Sequence, residues 1–482
     1  MKASRHTRRG FLRTLGLGAA AVALRQAPAA PTATRKPNIL LVVSDDQSWP
    51  HAGVYGDRVV QTPAFDRIAE EGVLFSHAFC SAPSCTPSRA AMLTGQDIWR
   101  LEEGANLCGT LPSKFAVYPD LVEAAGYAVG YTGKGWSPGK LGGRKRNPAG
   151  PRFGSFEAFM KQVPAGKPFS FWYGSFEPHR PYKKGSGMAA GKSQEDVVVP
   201  AFLPDVPEVR SDLLDYYQEI ERFDQQLAGL VACLEKEGRL DDTLIVVTSD
   251  NGMPFPRGKT TLYDAGTRMP LAIRWGSKIQ GGRKVGDFVT LTDLAPTFLE
   301  AAGLNIPAEM TSRSLMPLLT STASGQIDAK RDSVIVGRER HGWNREPNVG
   351  YPCRAIRTKE YLYIRNFKPD RQPGFDTDPG PSLEYMLKHR DEERMRRLFA
   401  LWFEPRPAEE LYNVGTDPDQ MNNVEADPKY AAVKARLRNT LDAYLKQTGD
   451  PRVSGRGEVF DSYRYYGRPT GNSTLLDKGA ER

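Results

Sequence analysis

Two apolar segments that lie far apart in the chain end in the same way. Residues 38–43 are followed by a serine and then Asp45 and Asp46, and residues 243–248 by a serine and then Asp250 and Asn251. Continuous apolar runs of this length are typical of strands buried on both faces of a parallel sheet. Because open α/β sheets bind their ligands at the carboxyl ends of strands, we expect both polar tips to lie at one functional edge. This repeated pattern predicts an α/β fold.

The side chains at these two tips offer only oxygen donors: Asp45, Asp46, Asp250 and Asn251. A hard, all-oxygen set suits Ca²⁺ or Mg²⁺, whereas zinc or another transition metal favours His and Cys. We therefore predict one divalent cation at this edge, Ca²⁺ in the first place and Mg²⁺ as the alternative. A helix cap or turn would also explain an aspartate here, but a cap usually needs only one.

A third segment, residues 81–95, contains Cys85-Thr-Pro-Ser-Arg89 followed by a run of good helix formers. Pro and Ser just inside a helix start predict that Cys85 lies at or just before a helix N-terminus, where an anion is favoured. Arg89 lies about one turn further on, so its guanidinium can reach the same place. On these residues alone, a buried structural cysteine and a modified nucleophile are equally good interpretations.

The pattern C-x-P-x-R followed by A-x-x-L-T-G resembles the signature of the type I sulfatases of the alkaline phosphatase superfamily. The resemblance runs from Pro37 to Trp275 with specific motifs, and more loosely beyond. It implies that a formylglycine-generating enzyme oxidises Cys85 to formylglycine, whose hydrate is the nucleophile. It also implies that residue 85 joins Asp45, Asp46, Asp250 and Asn251 as a metal ligand.

The same resemblance assigns roles to three residues at other strand exits. Lys134 in G-K-G-W and Lys259 in R-G-K-T would hold the sulfonyl oxygens together with Arg89, and His179 in P-H-R-P would protonate the leaving group. Taken alone, the lysines could be solvated loop residues and His179 a packed loop residue. The chain departs from the family pattern G-K-W-H-x-G, since Gly135-Trp136 follow Lys134 and that histidine is missing.

Four sequence stretches that are similar to one branch of the family indicate the substrate class. The stretches G-K-G-W, E-P-H-R-P, D-N-G-M-P-F-P-R-G-K-T and Y-P-C-R-A-I-R are similar to the heparan N-sulfatase (sulfamidase) branch, which acts on N-sulfoglucosamine in a glycosaminoglycan. That likeness implies a sulfated saccharide substrate and a sugar pocket shaped by C-terminal residues. Our candidates there are Glu339, Arg340 and His341, with a solvated charge cluster as the alternative.

Other functions remain as alternatives. An O-sulfatase acting on another sulfated polysaccharide is the first of them. A phosphatase or phosphodiesterase of the same superfamily would place Ser or Thr at position 85 and use two zinc ions, which the six histidines of this chain hardly support. An inactive glycan-binding protein would have lost site residues, yet only the one histidine is missing.

The first thirty residues differ in composition from the rest. They carry six basic and no acidic residues, so of the net charge of +8 only +2 belongs to the remainder, and nothing indicates nucleic-acid binding. Arg8-Arg9, a short apolar run at 15–24 and Ala27-Pro28-Ala29 are typical of a twin-arginine export signal, too short in its apolar part to span a membrane. We expect the bacterial export machinery to deliver the protein to the periplasm or medium, without a stable membrane span; an uncleaved anchor is the alternative.

At 482 residues the chain is long for one core. We predict an α/β fold: an alkaline-phosphatase-like, large mixed and mostly parallel sheet sandwiched by helices, with a smaller C-terminal α+β domain carrying an antiparallel sheet. The expected segments are a signal peptide at 1–30, a catalytic domain at 36–325, the C-terminal subdomain at 331–452 and an irregular tail at 453–482. The five cysteines form no C-x-x-C zinc pattern.

Overall fold

The computed structural model describes residues 36–469. The expected signal peptide and the end of the expected tail lie outside the described residues. The strands of the described part are β1 Asn38–Ser44, β2 Val73–Phe79, β3 Ala128–Gly133, β4 Phe169–Gly174, β5 Thr243–Ser249, β6 Arg268–Met269, β7 Leu271–Arg274, β8 Arg283–Thr290, β9 Ser333–Arg338, β10 Cys353–Thr358, β11 Tyr361–Asn366 and β12 Glu409–Asn413.

The α-helices of the same part vary from one turn to thirty residues. They are α1 Pro63–Glu70, α2 Cys85–Thr94, α3 Tyr118–Ala124, α4 Phe156–Met160, α5 Ser186–Ala189, α6 Pro207–Lys236, α7 Asp264–Thr267, α8 Leu294–Ala301, α9 Met316–Thr320, α10 Pro381–Lys388, α11 Glu393–Phe403, α12 Ala431–Gln447 and α13 Val459–Ser462.

The large sheet has eight strands in the order β3-β4-β1-β5-β7-β2-β6, with β8 on the other side of β2. Strands β3, β4, β1 and β5 are parallel, and β2 runs in the same direction because β7 between them is antiparallel to both. Ser44 of β1 is in register with Ser249 of β5, so the two polar tips are neighbours, as the sequence predicts.

Helices cover both faces of this sheet because side chains alternate along a strand. Ile39, Leu41 and Val43 of β1 pack in a cluster with residues of α2, α3 and α8. Leu40 and Val42 point the other way, into a cluster with residues of α1, α4 and α6. Every residue of β1 and β5 is buried, which confirms the prediction of strands covered on both sides.

The smaller sheet is antiparallel, in the order β12-β11-β10-β9, as expected for the C-terminal part. One face packs on α12, where Leu437, Leu441 and Leu445 meet Ile356 and Tyr363. The other face shares a cluster with Phe79 and Phe288 of the large sheet. Contacts join the described residues from Pro37 onward into one compact unit. The domain boundaries stay predictions.

The structure also bears on the expected absence of a membrane span and on the state of the cysteines. Within residues 36–469, no helix combines the length and the apolar character that crossing a bilayer requires. All five cysteines fall in this part of the chain, and the structure shows each as a free thiol. Residues 453–469 are mostly irregular, apart from α13, which buries Phe460.

Candidate active site

The carboxyl edge of the large sheet collects the polar residues singled out in the sequence. β1 and β5 deliver the acidic tips, β3 leads into Lys134, β4 into the loop of His179, and β2 into the segment before α2. Helix α2 begins at Cys85, and the preceding Ser84 is extended, with φ −160°. This confirms that the cysteine lies at a helix start, where free backbone N–H groups favour an anion.

Cys85 is buried beside the acidic tips. Its Sγ lies 3.6 Å from Asp45 Oδ1 and 4.0 Å from Asp46 Oδ1. Burial raises the pKa of the thiol well above its usual value, and the nearby lysines offset this only in part. The unmodified cysteine is therefore a neutral thiol, unlike the thiolates that act as nucleophiles in cysteine enzymes.

Three carboxylates converge on this sulfur. Asp45, Asp46 and Asp250 each offer an oxygen, and these atoms and Cys85 Sγ all lie within 4.8 Å of one another. Successive side chains of a strand point to opposite faces, but Asp46 adopts φ 75°, in the left-handed region that non-glycine residues rarely occupy. This turn lets two adjacent carboxylates share one site. The Tyr216 hydroxyl donates to the carbonyl oxygen of Asp46 at 3.1 Å and helps to hold it.

The donor set fits a hard divalent cation. Asn251 donates from Nδ2 to Asp46 Oδ1 at 2.7 Å, whereas its buried Oδ1 has no hydrogen-bond partner among residues 36–469. Buried polar atoms are normally satisfied, so this oxygen is available to a ligand. Burial raises the pKa of Asp250 to about 6, and the neighbouring carboxylate of Asp45 adds to this effect. Asp45, Asp46, Asp250 and Asn251 are the residues that would hold the cation.

Arg89 crosses the floor of the site and is fully buried. Its Nε donates to Asp250 Oδ2 at 2.8 Å, and Nη1 donates to the carbonyl oxygens of Lys134 and Gly135 at 2.5 and 3.1 Å. Its Nη2 lies 3.9 Å from Asp45 Oδ1 and has no hydrogen-bond partner in the described part of the chain. Two nitrogens thus fix the guanidinium, and the third can bind an anion.

Two lysines complete a cationic ring. Lys134 Nζ lies 2.5 Å from Asp45 Oδ2, and Lys259 Nζ lies 2.8 Å from Asp46 Oδ2 and 3.0 Å from Asp378 Oδ2. Burial alone would lower the pKa of each lysine, but these carboxylates outweigh burial and raise both pKa values. Both side chains therefore stay charged at any working pH.

His179 stands at the mouth of the site, with its side chain 36% exposed. Its Nε2 lies 3.8 Å from Asp46 Oδ2, while Nδ1 is 2.5 Å from the carbonyl oxygen of Arg180. A proton on Nδ1 is thereby fixed, and Nε2 is the nitrogen that points toward Asp46. The imidazole borders a cleft of about 660 Å³, which Asp45, Lys134 and Phe176 also line.

The chain matches models of known protein families. The family model described as "Sulfatase" matches residues 37–139 and 153–304, which is more than half of the chain. The chain belongs to the sulfatase family. A second model, "N-sulphoglucosamine sulphohydrolase, C-terminal", matches residues 257–397 of this sulfatase.

Individual proteins that are similar to this chain are also sulfatases or sulfohydrolases by name. A human protein named N-sulphoglucosamine sulphohydrolase is 27% identical over 490 residues, covering 89% of this chain and 93% of the relative. An ulvan-active sulfatase of Formosa agariphila is 28% identical over 438 residues, covering 86% and 81%. A solved structure described as a complex with its substrate D-glucosamine-2-N,6-O-disulfate has a TM-score of 0.63 at 20% identity, covering 86% of this chain and 98% of that one. That structure confirms the predicted fold of the sulfatase.

Trp136 stands where the family pattern has a histidine, and its side chain packs in the core. Trp136 of this sulfatase is 2% exposed and belongs to the core cluster beside α2 and α3. Its backbone N–H and carbonyl oxygen both bond the side chain of Asn147. The indole therefore fixes the loop after β3, and the neighbouring Ser137 and Pro138 line the cleft.

The three residues predicted to shape a sugar pocket are placed differently from one another. Glu339 is buried between Arg354 and Arg452, at 2.7 Å from each. Arg340 donates to the carbonyl oxygens of Asn348 and Tyr463. Both residues also line a small cavity together with Ser84, Pro87 and Thr260.

His341 is the member of the trio that the structure brings to the site. Its Nδ1 lies 2.9 Å from Ser84 Oγ, next to Cys85. Burial, with help from the charge of Lys259, lowers the pKa of His341 to about 3. Its imidazole is therefore neutral and exchanges a hydrogen bond with Ser84 without adding charge to the site.

Asp378 is a residue of the site that the sequence does not predict. It lies between β11 and α10 and bonds Lys259 as described above. Its local sequence, Asp-Thr-Asp-Pro-Gly at 376–380, is typical of a turn. No local signal distinguishes it from a solvated loop aspartate, because its partners come from distant segments.

Proposed function

We propose that this sulfatase removes the N-linked sulfate of glucosamine-type residues in a sulfated glycan, using a formylglycine made from Cys85. The observation that carries the proposal is the arrangement around Cys85 Sγ: three carboxylates within 4.8 Å and a helix start, beside Arg89 and Lys134. The match of residues 257–397 to the N-sulphoglucosamine sulphohydrolase model and the human relative of that name support the N-sulfated substrate.

A formylglycine hydrate at position 85 would supply the nucleophile, and a Ca²⁺ or Mg²⁺ ion held by Asp45, Asp46, Asp250 and Asn251 would supply positive charge. The protein holds the substrate against them. Arg89 Nη2, Lys134 Nζ and Lys259 Nζ bind the sulfonyl oxygens and stabilise negative charge as it shifts during the transfer. Each of these groups is buried, so its interaction with the anion is screened little by water.

His179 is the proton donor in this proposal. Protonated imidazole donates from Nε2 to the leaving nitrogen, since Nδ1 is held by the carbonyl oxygen of Arg180. Its exposed position at the cleft suits a residue that must exchange protons with water in each turnover.

An O-sulfatase acting on another sulfated polysaccharide is the second candidate. The ulvan-active relative, at 28% identity, and a relative from Bacteroides thetaiotaomicron named N-acetylglucosamine-6-O-sulfatase, at 23% identity, favour it. A phosphatase or phosphodiesterase is less well supported, because the acidic cluster around position 85 contains a cysteine and no histidine.

Mass spectrometry of the peptide across Cys85 tests the modification. Protein made with a formylglycine-generating enzyme should be lighter there by the difference between a thiol and an aldehyde. Cys85→Ala should fold and be inactive; full activity of that variant, or an unmodified cysteine in active protein, would contradict the proposal. Sulfate release from N-sulfoglucosamine against O-sulfated sugars separates the two substrate classes.

Export is part of the proposal. Residues 1–30 would direct the folded protein through the twin-arginine route to the periplasm or medium, with cleavage near Ala30. N-terminal sequencing of the exported protein should therefore start near residue 30, and an intact Met1 would contradict the assignment.

A further inference from the structure

Asp378 is the most exposed of the carboxylates that pair with the two lysines of the site. Its Oδ2 accepts from Lys259 Nζ at 3.0 Å, and its side chain is 24% exposed, whereas that of Lys259 is 4% exposed. An oxygen of Asp378, a nitrogen of His179 and an oxygen of Asp46 all lie within 4.8 Å of one another. Asp378 therefore borders the space between the lysine that would hold a sulfonyl oxygen and the histidine that would protonate the leaving atom.

Asp378 places a negative charge beside a site that would bind an anionic sulfate group. The carboxylates of Asp45, Asp46 and Asp250 suit a cation, but Asp378 lies outside that group. Burial would raise the pKa of Asp378, but the ion pair with Lys259 at 3.0 Å, helped by His179 and His341, outweighs burial and lowers it, so that the carboxylate stays ionised. A fixed anion at this rim repels a sulfated substrate unless the substrate presents a hydrogen-bond donor to it.

The two kinds of sulfated sugar differ in this respect. The scissile nitrogen of an N-sulfo group carries a hydrogen, whereas the scissile oxygen of a sulfate ester carries only lone pairs. We infer that Asp378 accepts the N–H of the scissile sulfamate and so selects N-sulfated over O-sulfated substrates, an inference that rests on the proposed function.

The reaction balances with this role. The S–N bond breaks as an S–O bond forms to the attacking oxygen, the electron pair of the S–N bond stays on nitrogen, and the His179 imidazolium proton goes to that nitrogen. Overall, one sulfamate anion and one water give one sulfate dianion and one ammonium: the water oxygen goes to sulfur, one of its protons goes to the nitrogen, and the other replaces the proton that His179 gave. Asp378 exchanges no proton: it accepts a hydrogen bond from the sulfamate and then faces the ammonium product.

Asp378 could instead act only by positioning Lys259. The two roles differ in what they predict, because Lys259 would hold the sulfonyl group of either substrate class. Loss of a positioning residue slows both classes alike, whereas loss of the N–H acceptor slows only the sulfamate.

The test compares Asp378→Asn with wild type on N-sulfoglucosamine and on 4-nitrophenyl sulfate, an ester without a scissile N–H. We expect kcat/KM for N-sulfoglucosamine to fall about 10- to 100-fold, because the neutral amide oxygen of asparagine is a weaker acceptor than the carboxylate, and kcat/KM for the ester to stay within about threefold. Asp370→Asn, an exposed aspartate of the same segment, is the matched control and should change neither value. Equal losses on both substrates would overturn the inference.

Product inhibition gives an independent measurement. Glucosamine, whose ammonium would face Asp378, should inhibit wild type more strongly than N-acetylglucosamine, and Asp378→Asn should remove most of this difference. If the variant does not fold, equal inhibition of wild type by the two sugars overturns the inference. If wild type releases sulfate from O-sulfated sugars and not from N-sulfoglucosamine, the proposed substrate fails and the inference with it. If wild type hydrolyses N-sulfoglucosamine and the variant does so equally well, the inference alone fails.

Discussion

Replacing Glu339 by glutamine tests whether this residue serves stability or substrate binding. Its two carboxylate oxygens accept from Arg354 and Arg452, each at 2.7 Å, and the exposed fractions of the three side chains are 0%, 0% and 2%. Arg354 also pairs with Asp450, but Arg452 has its nearest carboxylate in Glu339. The glutamine is isosteric, so no cavity forms; what changes is the loss of a buried charge facing two guanidinium groups.

Breaking a buried ion pair by removing one partner costs about 3–5 kcal/mol, because the other charge stays buried and uncompensated. With an unfolding entropy of about 2.1 cal/mol/K per residue over roughly 430 residues, this corresponds to a fall in Tm of about 3–5 °C. We expect KM for the sulfated sugar to remain unchanged, since Glu339 lies among arginines away from the cleft.

Thermal denaturation followed by circular dichroism, together with steady-state kinetics, checks this expectation. Glu360→Gln, an exposed glutamate on the turn between β10 and β11, is the control and should leave Tm unchanged. A Glu339→Gln protein with wild-type Tm and a KM raised tenfold or more would refute the reasoning and support the prediction that Glu339 binds the sugar.

Three further outcomes are expected. Arg89→Lys should lower kcat about 10²- to 10³-fold. The reason is that an ammonium cannot bond Asp250 and two carbonyl oxygens, as the guanidinium does, and still offer a further nitrogen to the anion. Mass spectrometry should show that the variant has the same formylglycine content as wild type. Asp97 is buried, and its pKa is raised to about 6 by burial, with opposing hydrogen bonds from Tyr444 and Thr311. A raised carboxyl pKa contributes stability that is fully present below the unfolded value of about 4 and is lost as pH rises through 6, by up to about 3 kcal/mol. Asp97→Asn should therefore flatten the fall in Tm between about pH 4 and 7. Removing divalent cations with a chelator should lower Tm, and Ca²⁺ at about 100 times its Kd should restore about 2.7 kcal/mol; a Tm indifferent to both would contradict the metal assignment.

The parts of the fold that were predicted correctly depend on local patterns. The largely apolar segments of β1 and β5 predict strands covered on both faces, whose polar tips meet at one edge of the sheet. The start of α2 at Cys85 follows from Pro and Ser in its first turn and the helix formers after them. In each case neighbours in sequence determine the structure, so a short window contains the answer.

The parts that could not be predicted depend on contacts between distant segments. A glutamate beside an arginine in sequence is usually solvated, but Glu339 is buried because Arg354 on β10 and Arg452 after α12 enclose it. Asp378 likewise lies in a turn-like sequence, and only the packing of its segment against Lys259 brings it to the site. Trp136 could be seen to replace a histidine, but not that its ring joins the core.

The charges of the site explain why a cation and a sulfate group should bind together. Three carboxylates that could hold the cation stand among three cationic side chains that could hold the anion, and in the structure they pair with one another: Lys134 with Asp45, Lys259 with Asp46, Arg89 with Asp250. If these carboxylates held a divalent cation, its charge would compete with the ion pairs, and Lys134 and Lys259 would then be available to the sulfonyl oxygens. Each ligand therefore favours the other, and linkage requires the effect to be reciprocal: whatever factor Ca²⁺ adds to the affinity for sulfate, sulfate adds to the affinity for Ca²⁺. Calorimetric titration of inorganic sulfate with and without Ca²⁺ should show this gain, and equal sulfate affinities would mean that the lysines stay on their carboxylates.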